Sequence, residues 1–262
     1  MTDWLALCRA AVEDVRGVLD ELPGRAAREP VVGTGKGGDD TTAIDAAAER
    51  VILARFAGIE GLTIVSEEAG ISGDGATHVV IDPIDGSLNA KRGIAFFALS
   101  IAVASGATMG DVDFGFVHDF GSGEEWTARR GEGARLNGQP LDGDLPKDEI
   151  EILAFEATRA ASVADKAAAV VDLAYRLRIM GSLALSLCHL AAGRIDAVCS
   201  LKPARAVDIA AAQLLVRERG LAIDLPDAAP FAAAPLDLEG RSRVVAAGTP
   251  DLCRRLAHAL SA

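Results

Sequence analysis

Apolar positions recur at helical spacing near the start of the chain. Trp4, Leu7, Ala11, Val15 and Val18 share one face of a segment from residue 3 to 22, and Pro23-Gly24 stops it. The pattern then breaks over Val31 to Gly38, where Gly33, Gly35, Gly37 and Gly38 surround Lys36, a composition that predicts a loop. Asp39-Asp40-Thr41-Thr42 supplies capping oxygens and predicts a second helix reaching about Ala57. Short strand-type runs follow at Leu62 to Val65, Val79 to Ile81, 95–105 and 111–118. Glu124 to Ala128 and Ala134 to Leu136 flank Arg130-Gly131-Glu132-Gly133 as a hairpin, and Asn137-Gly138 signals another turn. From residue 150 the pattern alternates: strand 150–155, helix 162–174, strand 177–180, helix 182–192, strand 195–199. A helix opened by Asp208 comes next, apolar from Ile209 to Val216, then strands at 221–224 and 243–247 and a last helix from Pro250. The order predicts an α/β (α+β) chain: an antiparallel-rich half, 1–145, and a half with helices stacked on a sheet, 146–262.

Composition narrows the class. Of 262 residues, 50% are hydrophobic but only 4% aromatic, so alanine and valine do much of the packing. No run approaches the roughly 18 uninterrupted apolar residues of a spanning helix, and Met1-Thr2-Asp3-Trp4 lacks a basic leader, so the expectation is a cytoplasmic protein with no membrane partner. Cys8, Cys188, Cys199 and Cys253 are scattered without paired spacing, which argues against disulfide or thiolate-metal roles. The net charge is −12, with 21 Arg against 5 Lys. Such an acidic chain is unsuited to nucleic acid, and it opposes a polyanionic substrate unless bound cations reverse the local field.

One stretch concentrates the chemistry: Val79-Val80-Ile81-Asp82-Pro83-Ile84-Asp85-Gly86-Ser87-Leu88-Asn89. Proline has no N–H for a ladder, so the strand is expected to end on Asp82. Asp85 follows, then Gly86 for a tight turn, then the capping residues Ser87 and Asn89. Two carboxylates on one turn repel unless a cation neutralises them, and hard oxygens favour Mg2+ or Mn2+ over Zn2+. N–H groups after Gly86 can meet a phosphate if a short helix starts there. Alone, the pentapeptide is equally an ordinary solvated turn. Yet Glu67-Glu68 ends another strand, Asp208 opens a helix, and Asp39 and Asp45 lie at a helix start, so carboxylates recur wherever elements begin or end.

These segments, Lys36-x-x-Asp39-x-x-Thr42-x-x-Asp45, Ser66-Glu67-Glu68, Asp82-Pro83-Ile84-Asp85-Gly86-Ser87-x-Asn89 and Val207-Asp208-Ile209-Ala210-Ala211, closely resemble the inositol monophosphatase superfamily of magnesium-dependent, lithium-sensitive sugar phosphatases. The resemblance extends over nearly the whole chain and implies a layered αβαβα sandwich and a homodimer. It further implies two to three Mg2+ per site, with Mn2+ as substitute: Glu67, Asp82 and the Ile84 carbonyl for the first, Asp82, Asp85 and Asp208 for the second, and Glu67 with water for a weaker third. Asp45 with the Ser87 hydroxyl would position and deprotonate the attacking water, supported by Thr42, and the Gly86 and Ser87 N–H groups would hold the phosphate. Gly35, Lys36, Gly37 and Asp39 would belong to a flexible catalytic loop.

Departures from the pattern bear on the substrate. Ser87 stands where threonine is usual, and Val207 where tryptophan is common. Leu201 replaces a glutamate that grips inositol in the animal enzymes. Arg178, Lys202 and Arg205 lie near the expected far end of the pocket, a likeness to archaeal-type dual fructose-1,6-bisphosphatase/inositol-1-monophosphatase and a match for a second phosphate. The expected function is a Mg-dependent phosphomonoesterase acting on fructose 1,6-bisphosphate, inositol 1-phosphate or both. The alternatives are a 3′-phosphoadenosine 5′-phosphate or NADP phosphatase on the same metal core, and a catalytically weak metal-dependent binding protein.

Overall fold

The structure, a computed structural model, describes residues 2–36, 38, 40–143, 145, 147, 149–156, 159–228 and 230–261. Gly37 and Asp39 of the expected loop lie outside them. Helix α1, Trp4–Glu21, is capped by Asp3 Oδ1, which accepts from the Ala6 N–H at 3.1 Å, and it buries the predicted face through Ala11, Val15 and Val18. A short helix α2, Arg25–Arg28, follows. The glycine-rich stretch is not all loop: β1, Val31–Thr34, pairs antiparallel with β2, Asp40–Thr42. Helix α3, Ala43–Phe56, therefore starts later than expected, because a ladder partner takes up the backbone groups of Asp40 to Thr42.

Strands β3 (Leu62–Ser66), β4 (Gly70–Gly73) and β5 (Thr77–Asp85) precede the short helix α4 (Ser87–Arg92). Strand β5 does not stop at Asp82. It runs through Pro83, with Asp82 opposite Ser100 but Asp85 opposite Ala98, so one extra residue bulges out where the missing N–H leaves no ladder bond broken. Strands β6 (Ala98–Ala104), β7 (Val112–Asp119), β8 (Glu125–Arg129), β9 (Gly133–Leu136) and β10 (Gln139–Pro140) complete an eight-stranded sheet ordered β10-β9-β8-β7-β6-β5-β3-β4. Asn137 and Gly138, both at positive φ, make the tight turn between β9 and β10 that their sequence predicts.

The remaining elements are β11 (Ile150–Glu156), α5 (Ala160–Ala167), β12 (Ala174–Arg178), α6 (Leu183–Ala191), β13 (Ala197–Ser200), α7 (Ala206–Glu218), β14 (Ala222–Asp224), β15 (Val245–Ala247) and α8 (Pro250–Ser261). They build a five-stranded sheet ordered β12-β11-β13-β15-β14. Helix α5 ends before the expected 174, because the chain from Ala174 pairs in parallel with Ile150 and its neighbours on β11.

Alternation along the strands assigns the layers. Val79 and Ile81 of β5 pack with Ala11 and Val15 of α1 and Ile44 and Ile52 of α3 on one face of the first sheet. Val80, on the opposite face, joins Leu187 and Leu190 of α6, Ile209 and Leu214 of α7, and Ala154 and Val198 of the second sheet. The outer face of that second sheet meets Leu252 and Leu256 of α8 and Val163 of α5. The result is the five-layer αβαβα order. Helix α7 lies so close to β7 that a Cβ on Gly115 would fall 2.5 Å from the Ala211 carbonyl oxygen. Among the described residues no helix is long and apolar enough to cross a membrane, and all four cysteines are buried and free.

Candidate active site

Parallel pairing of β3 with β5 brings two strand ends side by side, Glu67 just past one and Asp82 to Asp85 at the other. The N-termini of α3 and α7 close on the same place, with Asp45 and Asp208 each at the third helical position. These acids, with Asp40, Glu68 and Glu156, line a cleft of about 300 Å³ whose other walls include Gly86, Ser87, Lys91, Gly181, Lys202 and Arg205.

Hydrogen bonds pin one oxygen of each of the aspartates Asp45, Asp82, Asp85 and Asp208. Asp45 Oδ2 accepts from the Thr42 N–H (3.2 Å) and the Thr42 hydroxyl (2.5 Å), a capping arrangement, while its Oδ1 is buried with no partner among the described residues. Asp208 repeats the design: Oδ2 accepts from the Arg205 N–H at 2.7 Å. The bulge in β5 turns the Ile84 N–H back onto Asp82 Oδ1 at 3.0 Å. Asp85 Oδ2 accepts from the Ser182 hydroxyl (2.6 Å) and the Ala184 N–H (2.7 Å), so the start of α6 orients it. Gly86, at φ 94°, lets the chain turn into α4, and the Ser87 hydroxyl donates to the Ile84 carbonyl at 3.0 Å rather than to Asp45.

Crowding and burial act on these acids together. Asp82, 2% exposed, titrates well above the usual carboxylate range, through burial first and then the charges of Glu67, Asp85 and Asp208. Burial pushes Asp85 up to about 7, against the Ser182 hydrogen bond. Glu67 is likewise pushed up to about 7 by burial, opposed by Arg205 and reinforced by Asp208. The site thus calls for positive charge, and its oxygen-only donor set suits a hard divalent ion. Among the described residues no three His, Cys, Asp or Glu side chains stand in metal-ligating geometry.

A cation of the chain's own is already present. Arg205, expected at the substrate rim, instead sends its guanidinium into the acids: the same nitrogen, Nη2, bonds Glu67 Oε1 and Asp208 Oδ1, the latter at 3.1 Å. Arg178 is not part of the cleft lining; it is exposed, and its guanidinium donates to the Leu177 carbonyl at 2.9 Å. Lys202 does line the cleft. Leu201 packs under α8 on the cluster of the second sheet. At the loop, the Lys36 N–H donates to the Glu68 carbonyl at 3.1 Å and the Thr41 hydroxyl to the Glu68 carboxylate, beside Gly35, where a Cβ would collide with Glu68.

Two acids escaped sequence reasoning. Glu156 ends β11 and accepts from the Ser186 hydroxyl (2.6 Å) and the N–H groups of Gly181 (2.8 Å) and Met180 (3.4 Å), shaping the wall that holds Ser182 against Asp85. Its signal was available, an acid closing an apolar strand as Asp82 does. Glu49 Oε1 accepts from the Ser66 hydroxyl and the Glu68 and Ala69 N–H groups, fixing the turn after β3. On the sequence, Glu49 stands four residues after Asp45 and so shares its helix face, which does not indicate this role. Lys91, on α4, was also unforeseen in the lining.

Comparison with known proteins gives the family. The model of the inositol monophosphatase family matches residues 4–262. A fructose-1,6-bisphosphatase/inositol-1-monophosphatase from Thermococcus kodakarensis is 36% identical over 191 residues, 72% of this chain and 71% of that protein. One of the same name from Archaeoglobus fulgidus is 30% identical over 249 residues, covering 94% and 93%. The Nus factor SuhB of Pasteurella multocida is 36% identical over 192 residues, 70% of each chain. Among solved structures, the MJ0109 gene product, an inositol monophosphatase-fructose 1,6 bisphosphatase, superposes with a TM-score of 0.86 at 26% identity over 98% of this chain and 100% of that one. With the family model spanning nearly every residue, the chain belongs to the inositol monophosphatase family.

Proposed function

We propose that this protein is a Mg2+-dependent phosphomonoesterase of sugar or cyclitol phosphates, with fructose 1,6-bisphosphate, inositol 1-phosphate or both as substrates. The observation that carries this reading is the convergence of Glu67, Asp82, Asp85 and Asp208 from separate element ends on one cleft, at a density of negative charge that only bound cations make compatible with a phosphate ester. Glu67 and Asp82 with the Ile84 carbonyl would hold one ion, and Asp82, Asp85 and Asp208 a second; Mn2+ fits the same donors. Bound there, such ions lower the pKa of water and stabilise the departing alkoxide.

The chain's own groups do the rest. Asp45, held by Thr42 through one oxygen, offers the other, unpartnered and buried, as acceptor for a proton of the attacking water. N–H groups at Gly86 and Ser87 stand at the start of α4, where a phosphate oxygen can accept them. Lys91 and Lys202 add positive charge to the cleft wall, which favours a substrate with a second phosphate. A cytoplasmic homodimer completes this reading, and sedimentation equilibrium checks the dimer.

Phosphate release, with Mg2+ or Mn2+ at low and high salt, from fructose 1,6-bisphosphate, inositol 1-phosphate, 3′-phosphoadenosine 5′-phosphate and NADP tests the proposal. Release from the first two, abolished by a chelator, is expected. Preference for the nucleotides would reassign the substrate. No release from any of them would leave a metal-dependent binding role, the reading that relatives named Nus factor SuhB keep in play.

A further inference from the structure

A buried group of like charges persists in a folded chain only with a compensating positive charge or with bound protons. Arg205 supplies the first. Its backbone precedes α7 in extended geometry, and its N–H caps Asp208 Oδ2 at 2.7 Å, so the residue is anchored next to one acid. Its side chain, in a residue 8% exposed, folds back over that cap and reaches Glu67, 138 positions earlier in the chain. A single nitrogen, Nη2, serves both Glu67 Oε1 and Asp208 Oδ1. An ion that takes either of those oxygens must displace Nη2 from it.

We propose that Arg205 is a tethered counter-cation: it holds the metal-free acids together and leaves when divalent ions take up Glu67 and Asp208, so that loading the site is an exchange of guanidinium for ions. This rests on the metal-site reading above and adds a property to it. The exchange weakens apparent metal affinity, since the ion must displace an intramolecular partner, and it keeps the unloaded site from depending on metal for its stability. A guanidinium carries one charge on five N–H donors and cannot be deprotonated, so neither pH nor a chelator removes this competitor.

The test is a Mn2+ titration at pH 8 on the wild-type protein, Arg205→Met and Arg205→Lys, followed by electron paramagnetic resonance of free Mn2+, with melting temperatures measured in chelator and in saturating Mn2+. Arg205→Met, which removes the competitor at similar volume, should bind Mn2+ about tenfold tighter or more, equivalent to ~1.4 kcal/mol. It should melt below wild type in chelator and close the gap in Mn2+, with Arg205→Lys intermediate in both. Equal or weaker Mn2+ binding by a folded Arg205→Met would overturn the exchange while leaving the metal site standing. Failure of the wild-type protein to bind Mn2+ at all would remove the metal-site reading and the exchange with it. If Arg205→Met does not fold, the side-chain Nε–H resonance of Arg205 in wild type decides: it should shift on adding Mg2+, and an unmoved resonance overturns the proposal.

Discussion

Replacing Ser182 with alanine isolates one hydrogen bond to a metal-site acid. The Ser182 hydroxyl donates to Asp85 Oδ2 at 2.6 Å and accepts from the Leu185 N–H at 3.3 Å as the cap of α6. Its donation holds down a carboxyl that burial pushes up to about 7. A hydrogen bond to a charged group contributes ~1.5–3 kcal/mol, and the Ala184 N–H at 2.7 Å remains to share the oxygen. The lower end is therefore the better guide, which at ~1.36 kcal/mol per unit raises the Asp85 pKa by about one unit. Losing the cap costs about 1 kcal/mol of stability as well. A metal ion on Asp85 competes with its proton, so the assay is Mn2+ affinity as a function of pH. In wild type the affinity should climb with pH through about 7, as the Asp85 carboxyl ionises. In Ser182→Ala that climb should be displaced about one pH unit higher, leaving affinity near neutral pH reduced by up to about tenfold and restored in alkali. Curves that climb through neutral pH at the same place, whatever their height, would refute the coupling of Ser182 to Asp85.

Further outcomes test other parts of the structure. Asp82→Asn should abolish turnover by at least about a thousandfold, the scale of losing a principal electrostatic group, while the metal-free protein melts no lower than wild type, since a repelling buried charge is gone; retained turnover would remove the metal model. Gly115→Ala should destabilise the fold by ~1–3 kcal/mol in urea unfolding, because its Cβ meets backbone, the Ala211 carbonyl, which cannot rotate away; unchanged stability would contradict the packing of α7 on β7. Folded, Glu67 and Asp85 hold protons up to about pH 7, whereas unfolded they release them in the ordinary carboxylate range. The metal-free native state thus binds more protons across that window, and this contribution lowers stability as pH rises through it. The melting-temperature gap between Mn2+-loaded and chelated protein should widen from pH 5 to pH 8, and a constant gap would count against the shift.

Much of the site was legible because its acids sit at punctuation. Asp82, Glu67 and Asp208 follow or open apolar runs that one sequence suffices to delimit, and their convergence follows once β3 and β5 pair in parallel. What the sequence concealed depends on partners distant in the chain. Strand β2 reads as helix start because its ladder mate, β1, is a glycine-containing stretch with no strand signature. Pro83 reads as a stop because a bulge is visible only against the register of β6. The alanine-rich run after residue 160 favours helix until pairing with β11 claims its end. Arg205 shows most plainly why proximity along the chain is a poor guide for a long side chain: beside Lys202 it suggests a rim, whereas its extended backbone and the pull of Glu67 send it inward.

The division of labour between the two faces of the eight-stranded sheet has a consequence during synthesis. Helices α1 and α3, which cover one face, leave the ribosome before most of that sheet, but the opposite face, with Val65, Val80, Ala102, Val117 and Trp126, waits for α6 and α7. Over that interval a nearly finished sheet carries a bare apolar surface, and Glu67, Asp82 and Asp85 are already made at its rim without Arg205. The nascent chain is then both sticky and internally repelling. The bare face and the uncompensated acids are relieved only once α7 follows Arg205 out of the ribosome, and the second sheet closes later still, with β15 and α8.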